Sequence, residues 1–283
     1  MKAAEDKAAV EAAVRVFNPS GRSAFVIVCD HASNHIPTEL GTLGLGPEAL
    51  VSHIAWDPGA IEVARILAER LDATLVESCV SRLVADCNRP YDAPDLVLER
   101  SEMTAVPGNA DLSAKDRERR IKLAHKPFHD CIAQVVSDRL EHGWATRLVA
   151  IHSFTPVFMG VARPWQVGVI HDEDMTLAHP VMEALAAEKQ INVGDNEPYS
   201  PADRVYYTLD RHARSLGLEA VMIEIRNDEI RTEAGQSSWG NRLAAIFDGI
   251  AGHAQNENKE IENREGGTIQ PGAGGVRRQT VGR

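Results

Sequence analysis

The sequence predicts an α/β fold: a three-layer sandwich around a mainly parallel or mixed central sheet. Two observations carry this. Short apolar, β-rich runs alternate with helical patterns along the chain, as β–α connectivity requires. Those runs are apolar at consecutive positions, not every second one, as strands covered on both faces are.

In chain order, strands are expected at 24–29, 73–78, 147–151, 166–170 and 219–225. Helical patterns lie between them at 60–71 ("AIEVARILAERL"), 112–141, 177–189 and 238–250. The opening "MKAAEDKAAVEAAVRVF" reads as an amphipathic helix within a segment 1–18, and its acids and missing apolar centre are unlike a secretory signal. No Gly/Pro/Ser linker divides residues 10–250, so a single domain over 19–251 is expected. From 252 to 283 apolar residues are isolated, and such a segment buries too little surface to offset its ordering entropy; disorder is expected there.

Composition narrows the function. The 283 residues include 43% hydrophobic and 25% charged residues, ordinary for a soluble globular chain, and no run reaches the ~18 apolar residues of a membrane span. A net charge of −11, from 30 basic and 41 acidic residues, disfavours nucleic acid as a partner, because phosphate binding needs a basic face. Cys29, Cys79, Cys87 and Cys131 are widely spaced with no C-x-x-C pair, which suits reduced thiols and a cytoplasmic protein.

Polar residues gather where strands end, the usual place for chemistry in such folds. "AFVIVCDHASNHIP" runs a buried strand into Asp30 and His31. "HIAWDPGA" places Asp57 before a proline and a helix, the position of an N-cap. "SRLVADCNRP" carries Arg82, Asp86, Asn88 and Arg89; "LVAIHSFTP" sets His152 directly after a strand; "AVMIEIRND" alternates Glu224 and Arg226 with isoleucines. Each has a purely structural alternative: a hydrogen-bonded histidine, a helix cap, an internal salt-bridge cluster. Glu224 is the hardest to dismiss, since a carboxylate in an apolar strand is costly to bury without a partner. His125 and His129, four apart, share a helical face, although Pro127 disturbs that geometry.

Taken together, two strand-end histidines, an acid and a strand-borne glutamate match what hydrolytic zinc needs: two or three N/O ligands, an open position for water and a carboxylate to take its proton. An arginine such as Arg82, Arg89 or Arg226 can grip a substrate carboxylate in bidentate fashion. No G-x-S-x-G elbow is present, no cysteine announces a Cys–His pair, and "GTLGLGPE" does not join a strand to a long helix as a dinucleotide loop does.

In one order, "CDHASNHIP", "HIAWDPGA", "SRLVADCNRP", "AIHSFTP", "VGDNEPYS" and "GLEAVMIEIRND" resemble the N-formylglutamate amidohydrolase family over residues 22–250. The resemblance implies a phosphorylase/hydrolase-like fold akin to zinc exopeptidases, one zinc ion, a small-molecule substrate and hydrolysis of N-formyl-L-glutamate to formate and glutamate, a step of histidine breakdown. It implies His31 and His152 as metal ligands and Glu224 as general base. Arg82, Asn88, Arg89 and Arg226 are the substrate-binding candidates. Carboxypeptidase relatives use H-x-x-E, but Asn34 stands three after His31, so the third ligand is Asp30 or Asp57. Asp57 is favoured, since neighbours on a strand point to opposite faces and Asp30 and His31 should diverge. The alternatives are a same-fold amidase for another N-acyl amino acid and a non-catalytic protein that retains a metal or anion pocket.

Overall fold

In this computed structural model residues 12–265 are described, those from 253 onward as helix backbone only. The strands are β1 Val14–Phe17, β2 Phe25–Cys29, β3 Thr74–Ser78, β4 Arg100–Ser101, β5 Thr104–Ala105, β6 Arg147–Phe154, β7 Val157–Phe158, β8 Val161–Ala162, β9 Val167–Ile170, β10 Val193–Asp195 and β11 Ala220–Arg226. The helices are α1 Pro47–Val51, α2 Ala60–Leu71, α3 Ala114–Leu123, α4 His125–Glu141, α5 Ala178–Ala186, α6 Tyr207–His212 and α7 Glu233–Glu265.

Seven strands form one mixed sheet in the order β1-β3-β2-β6-β11-β9-β10. Its centre is parallel (β3, β2, β6, β11), and β1 and β9 each pair antiparallel with a neighbour. Consecutive residues of each strand feed opposite faces. Ile27, Val149, Ile151, Val221 and Ile223 pack with α2, α5 and α7 on one side. Val28, Leu148, Ala150 and Met222 pack with α4 and α6 on the other. These helices on both faces complete the three layers and explain the unbroken apolar runs. The small hairpins β4–β5 and β7–β8 stand outside the main sheet.

Four expectations need correction. Residues 14–17 are strand, not helix: Val14 and Val16 alternate with exposed neighbours and pair with β3, an edge role that overrides helical propensity. The remainder of the expected N-terminal helix, through residue 11, lies outside the described residues. Toward the C-terminus α7 runs on to Glu265 through a stretch rich in Glu, a good helix former; the rest of the expected tail lies outside the described residues. The 112–141 pattern is two helices, broken at Ala124 (φ −130°, ψ −66°). Finally, β6 continues to Phe154, because its pairing with β11 extends to Phe154↔Arg226; His152 therefore lies inside the strand, not after it.

Candidate active site

The site sits at the carboxyl ends of β2, β6 and β11. His31 follows β2 by two residues, and its carbonyl accepts the Asp57 N–H at 3.0 Å, which ties the turn before α2 to the strand end. That turn is tight. Gly59 has φ +85°, and a Cβ there would meet the Ile230 carbonyl oxygen and lie 2.8 Å from Ile230 Cγ1. Gly59, not Asp57, caps α2. The Asp57 side chain, which a capping role would occupy, is turned instead toward the histidines.

Asp57 Oδ2 lies 3.2 Å from His31 Nδ1 and 2.9 Å from His152 Nδ1, with the Ser153 N–H donating to the same oxygen at 3.3 Å. The far nitrogen of each ring meets another carboxylate: His31 Nε2 reaches Asp86 Oδ1 at 2.7 Å, and His152 Nε2 reaches Asp30 Oδ2 at 3.1 Å. Thr208 of α6 donates to Asp30, and Arg82 donates to Asp86 at 2.7 Å. All five of these histidines and aspartates are buried.

Carboxylate oxygens only accept, so an imidazole with an anion at each nitrogen is satisfied in two ways. Either it is an imidazolium, or a metal cation replaces the proton on Nδ1. The metal-free electrostatics follow. Burial pulls both histidines down, as does Arg82 for His31, but Asp86 and Asp57 raise His31, and hydrogen bonds to Asp30 and Asp57 lift His152 well above the usual imidazole range. Burial pushes the aspartates up, but the imidazoles hold Asp30 below and Asp57 well below the ordinary carboxylate value; Arg82 and then His31 do the same for Asp86. The donor set fits a divalent cation. His31, Asp57 and His152 each offer one ligand atom, all within 4.8 Å of one another. Asp86 and Asp30 then hold the outer nitrogens, as carboxylates behind metal-bound histidines do.

Asp30 and His31 do not diverge. Both lie beyond the end of β2, where strand alternation no longer applies, and both converge on this centre from different sides.

Glu224 faces the same cavity, about 230 Å³, which His31, His53, Asp57, Arg82, Asn88, Arg89, Arg100, His152 and Tyr199 also line. Its Oε2 is buried without a hydrogen-bond partner among the described residues. Burial raises its carboxyl to about 7, with the His152 charge acting against that rise.

The other expected substrate contacts are differently placed. Arg82 lines the cavity but spends charge on Asp86 and, at 3.4 Å, Asp57. Asn88 donates to the Val205 carbonyl and accepts from the Thr208 N–H at 3.1 Å. Arg89 binds Asp95 at 3.1 Å and the carbonyls of Asn88 and Arg204. Arg226 does not line the cavity. It is the last residue of β11, still in register with Phe154, and its guanidinium is taken up by Asp228 and Glu229 of the loop that follows and by the carbonyls of Arg163 and Trp165.

His125 and His129 do share a face, their rings 4.3 Å apart, since Pro127 falls in the first turn of α4, where a missing N–H costs nothing. Among the described residues they are not part of a cluster that could hold a metal ion. His129 Nε2 donates to the Cys87 carbonyl at 2.8 Å and its Nδ1 accepts from His212 Nε2 at 2.8 Å, while His125 Nε2 donates to the Arg89 carbonyl at 3.0 Å. The pair props the 86–89 segment that carries Asp86. No site role was expected for His53 and Tyr199, although "HIAWDPGA" and "VGDNEPYS" contain them, nor for Thr208, whose neighbours in the chain announce nothing.

Residues 23–231 match the family model described as N-formylglutamate amidohydrolase. Among solved structures, a gene product of Agrobacterium tumefaciens, Atu2144, is 41% identical, with a TM-score of 0.84 over 87% of this chain and 98% of that one. The N-formylglutamate amidohydrolase of Ralstonia eutropha is 18% identical, with a TM-score of 0.67 over 87% of this chain and 99% of that one, a likeness of fold. No curated protein matches the sequence.

Proposed function

The chain belongs to the N-formylglutamate amidohydrolase family, and we propose that it is a zinc-dependent hydrolase that cleaves N-formyl-L-glutamate to formate and L-glutamate. The observation that carries this is Glu224: a buried carboxyl, unpartnered at Oε2, raised to about 7 and opening on the cavity that holds the His31–Asp57–His152 cluster.

His31, Asp57 and His152 would hold the metal, and when bound it supplies Lewis-acid activation of a water molecule. Glu224 takes the proton of the attacking water and delivers it to the departing amine nitrogen, a task for which a carboxyl poised near neutrality is suited. Arg82, kept charged by Asp86 and Asp57 in spite of burial and lining the cavity, is the group to stabilise the negative charge that develops on the formyl oxygen. Asp86 and Asp30 fix the orientation of the two imidazoles. Arg82, Asn88 and Arg89 line the same cavity.

Formate release from N-formyl-L-glutamate by chelator-stripped protein, with and without added zinc, tests the reading. Zinc-restored turnover is the expected result. Tight zinc binding with no turnover would leave the metal cluster standing and remove the named substrate. No helix of the described residues is long and apolar enough to cross a membrane.

A further inference from the structure

Behind the cavity wall lies a cation that no described acid neutralises. Arg163 is 9% exposed, and its guanidinium meets only neutral oxygens: Thr155 at 3.5 Å and the Tyr199 hydroxyl at 3.1 Å. Aromatic rings surround it, Phe158 at 4.6 Å, Tyr199 at 4.8 Å and Phe154 at 5.7 Å to the ring centres. Phe158 and Tyr199 line the cavity, with Arg163 packed behind them. A charge so placed is costly unless an anion comes to it, and among the described residues none does.

The hydrogen bond between Arg163 and Tyr199 has only one direction. A guanidinium cannot accept, so the phenol oxygen accepts, and its own proton remains to be given elsewhere. Arg163 is the one hydrogen-bond partner of the Tyr199 hydroxyl among the described residues. Burial, and then the Glu224 charge, raise the phenol above its ordinary value, which keeps that proton in place. A neutral donor backed by a fixed positive charge, on the wall of a cavity, is built to receive an anionic oxygen.

We propose that Tyr199, polarised and held by Arg163, binds a carboxylate of the N-acyl amino acid substrate. The inference rests on the function proposed above and deepens it. Tyr199 is the contacting residue and Arg163 the positioning residue behind it. This assigns the carboxylate to a pair of residues other than Arg82 and Arg89, whose charges are already matched by Asp86, Asp57 and Asp95.

Tyr199→Phe removes the hydroxyl and leaves the ring under Arg163, so it tests the contact without dismantling the wall. For N-formyl-L-glutamate, KM should rise about tenfold with kcat changed less than twofold, the loss of a charged hydrogen bond made equally in ground and transition states. N-formyl-L-glutamine and the α-amide of N-formyl-L-glutamate each neutralise one carboxylate. One of them should become insensitive to Tyr199→Phe, which identifies the group bound. Arg163→Met should reproduce the same KM pattern. A fall in kcat at constant KM, equal sensitivity of all three substrates, or no change at all would overturn the assignment. Wild-type turnover separates the two readings: without it the proposed function fails, and calorimetric binding of L-glutamate to the zinc-loaded proteins then decides. Binding weakened about tenfold in Tyr199→Phe supports the carboxylate contact; equal binding, or none by either protein, overturns it.

Discussion

His152 on β6 and Glu224 on β11 are register partners in adjacent parallel strands, so their side chains leave the sheet on the same face, one strand apart. One is a member of the metal-fitting cluster and the other is the unpartnered carboxyl beside it. The sheet itself thus fixes the spacing between the proposed metal ligand and the proposed base. Because this register extends from Ala220↔Leu148 to Arg226↔Phe154, the spacing does not depend on a loop.

Glu224→Gln should therefore leave zinc content intact and reduce turnover by about 10²–10⁴, the usual share of a general base. Metal analysis of the purified variant alongside its kcat is the check. A variant that loses zinc together with activity would make Glu224 a ligand and not a base.

Much of this was legible in the sequence because it is encoded by local pattern. The five central strands are apolar runs, and Glu224 announced itself as a carboxylate in such a run. Where strand geometry ceased, so did legibility. The parity argument separating Asp30 from His31 fails because β2 ends at Cys29. Asp86 supports His31 across 55 positions, and Thr208 supports Asp30 across 178; no local signal connects residues so distant. Tyr199 looks like any loop tyrosine until Arg163, 36 positions earlier, is seen to donate to it. Asp57 sat in an N-cap position, but the folded chain gave that place to Gly59.

That turn yields the next prediction. Gly59 holds φ +85° against the Ile230 carbonyl, so Gly59→Ala carries both left-handed strain and a collision with backbone. Destabilisation of about 1–3 kcal/mol is expected from the strain alone, with more from the collision. Because Asp57 stands two residues earlier, zinc affinity should fall as well. Urea unfolding and a zinc titration measure the two effects; an unchanged midpoint would show that the turn relaxes freely.

Acid should weaken the fold earlier than carboxylate protonation requires. His129 and His212 are held neutral by burial, pushed down to about 2 and about 4, and burial likewise lowers His53 to about 4 and His125 below its usual value. Unfolded histidines take up protons near pH 6.5, so below that pH the unfolded chain binds protons that the native one refuses, and stability falls as pH drops. The raised histidines, His31 and His152, act in the opposite sense: their contribution is fully present below about 6.5 and is lost only as pH rises through their folded values. The depressed aspartates Asp30, Asp57 and Asp86 lose theirs only below about 4. Between pH 6.5 and 5 the slope is therefore that of the buried neutral histidines less one opposing proton from Glu224, whose carboxyl, raised to about 7, is protonated in the native state and ionised in the unfolded one. Urea unfolding of metal-free protein across that window should show it, and His129→Gln should reduce the slope by about one proton. An identical slope in the variant would mean that His129 accepts its proton in the native state.

The last prediction concerns the two carboxylates behind the histidines. Asp86 and Asp30 occupy equivalent places on the outer nitrogens of His31 and His152, but their own supports differ. Asp86 is bonded twice by Arg82, at 2.7 and 3.2 Å, and by the Asn88 N–H at 2.9 Å, whereas Asp30 is held by the Thr208 hydroxyl and the ring of His152. Replacing either by Asn removes the anion that orients a ligand and raises its basicity, which typically lowers metal affinity 10- to 100-fold. Asp86→Asn does more: it leaves the buried Arg82 with Asp57 as its remaining carboxylate partner, which draws charge from the oxygen cluster that faces the metal. Zinc affinity should therefore fall further in Asp86→Asn than in Asp30→Asn, and adding Arg82→Gln to Asp86→Asn should recover part of the difference. Competition titration against a chelator of known zinc affinity measures all three variants. Equal losses in the two single variants would show that Arg82 exerts no pull on Asp57 and that each carboxylate acts only on its own histidine.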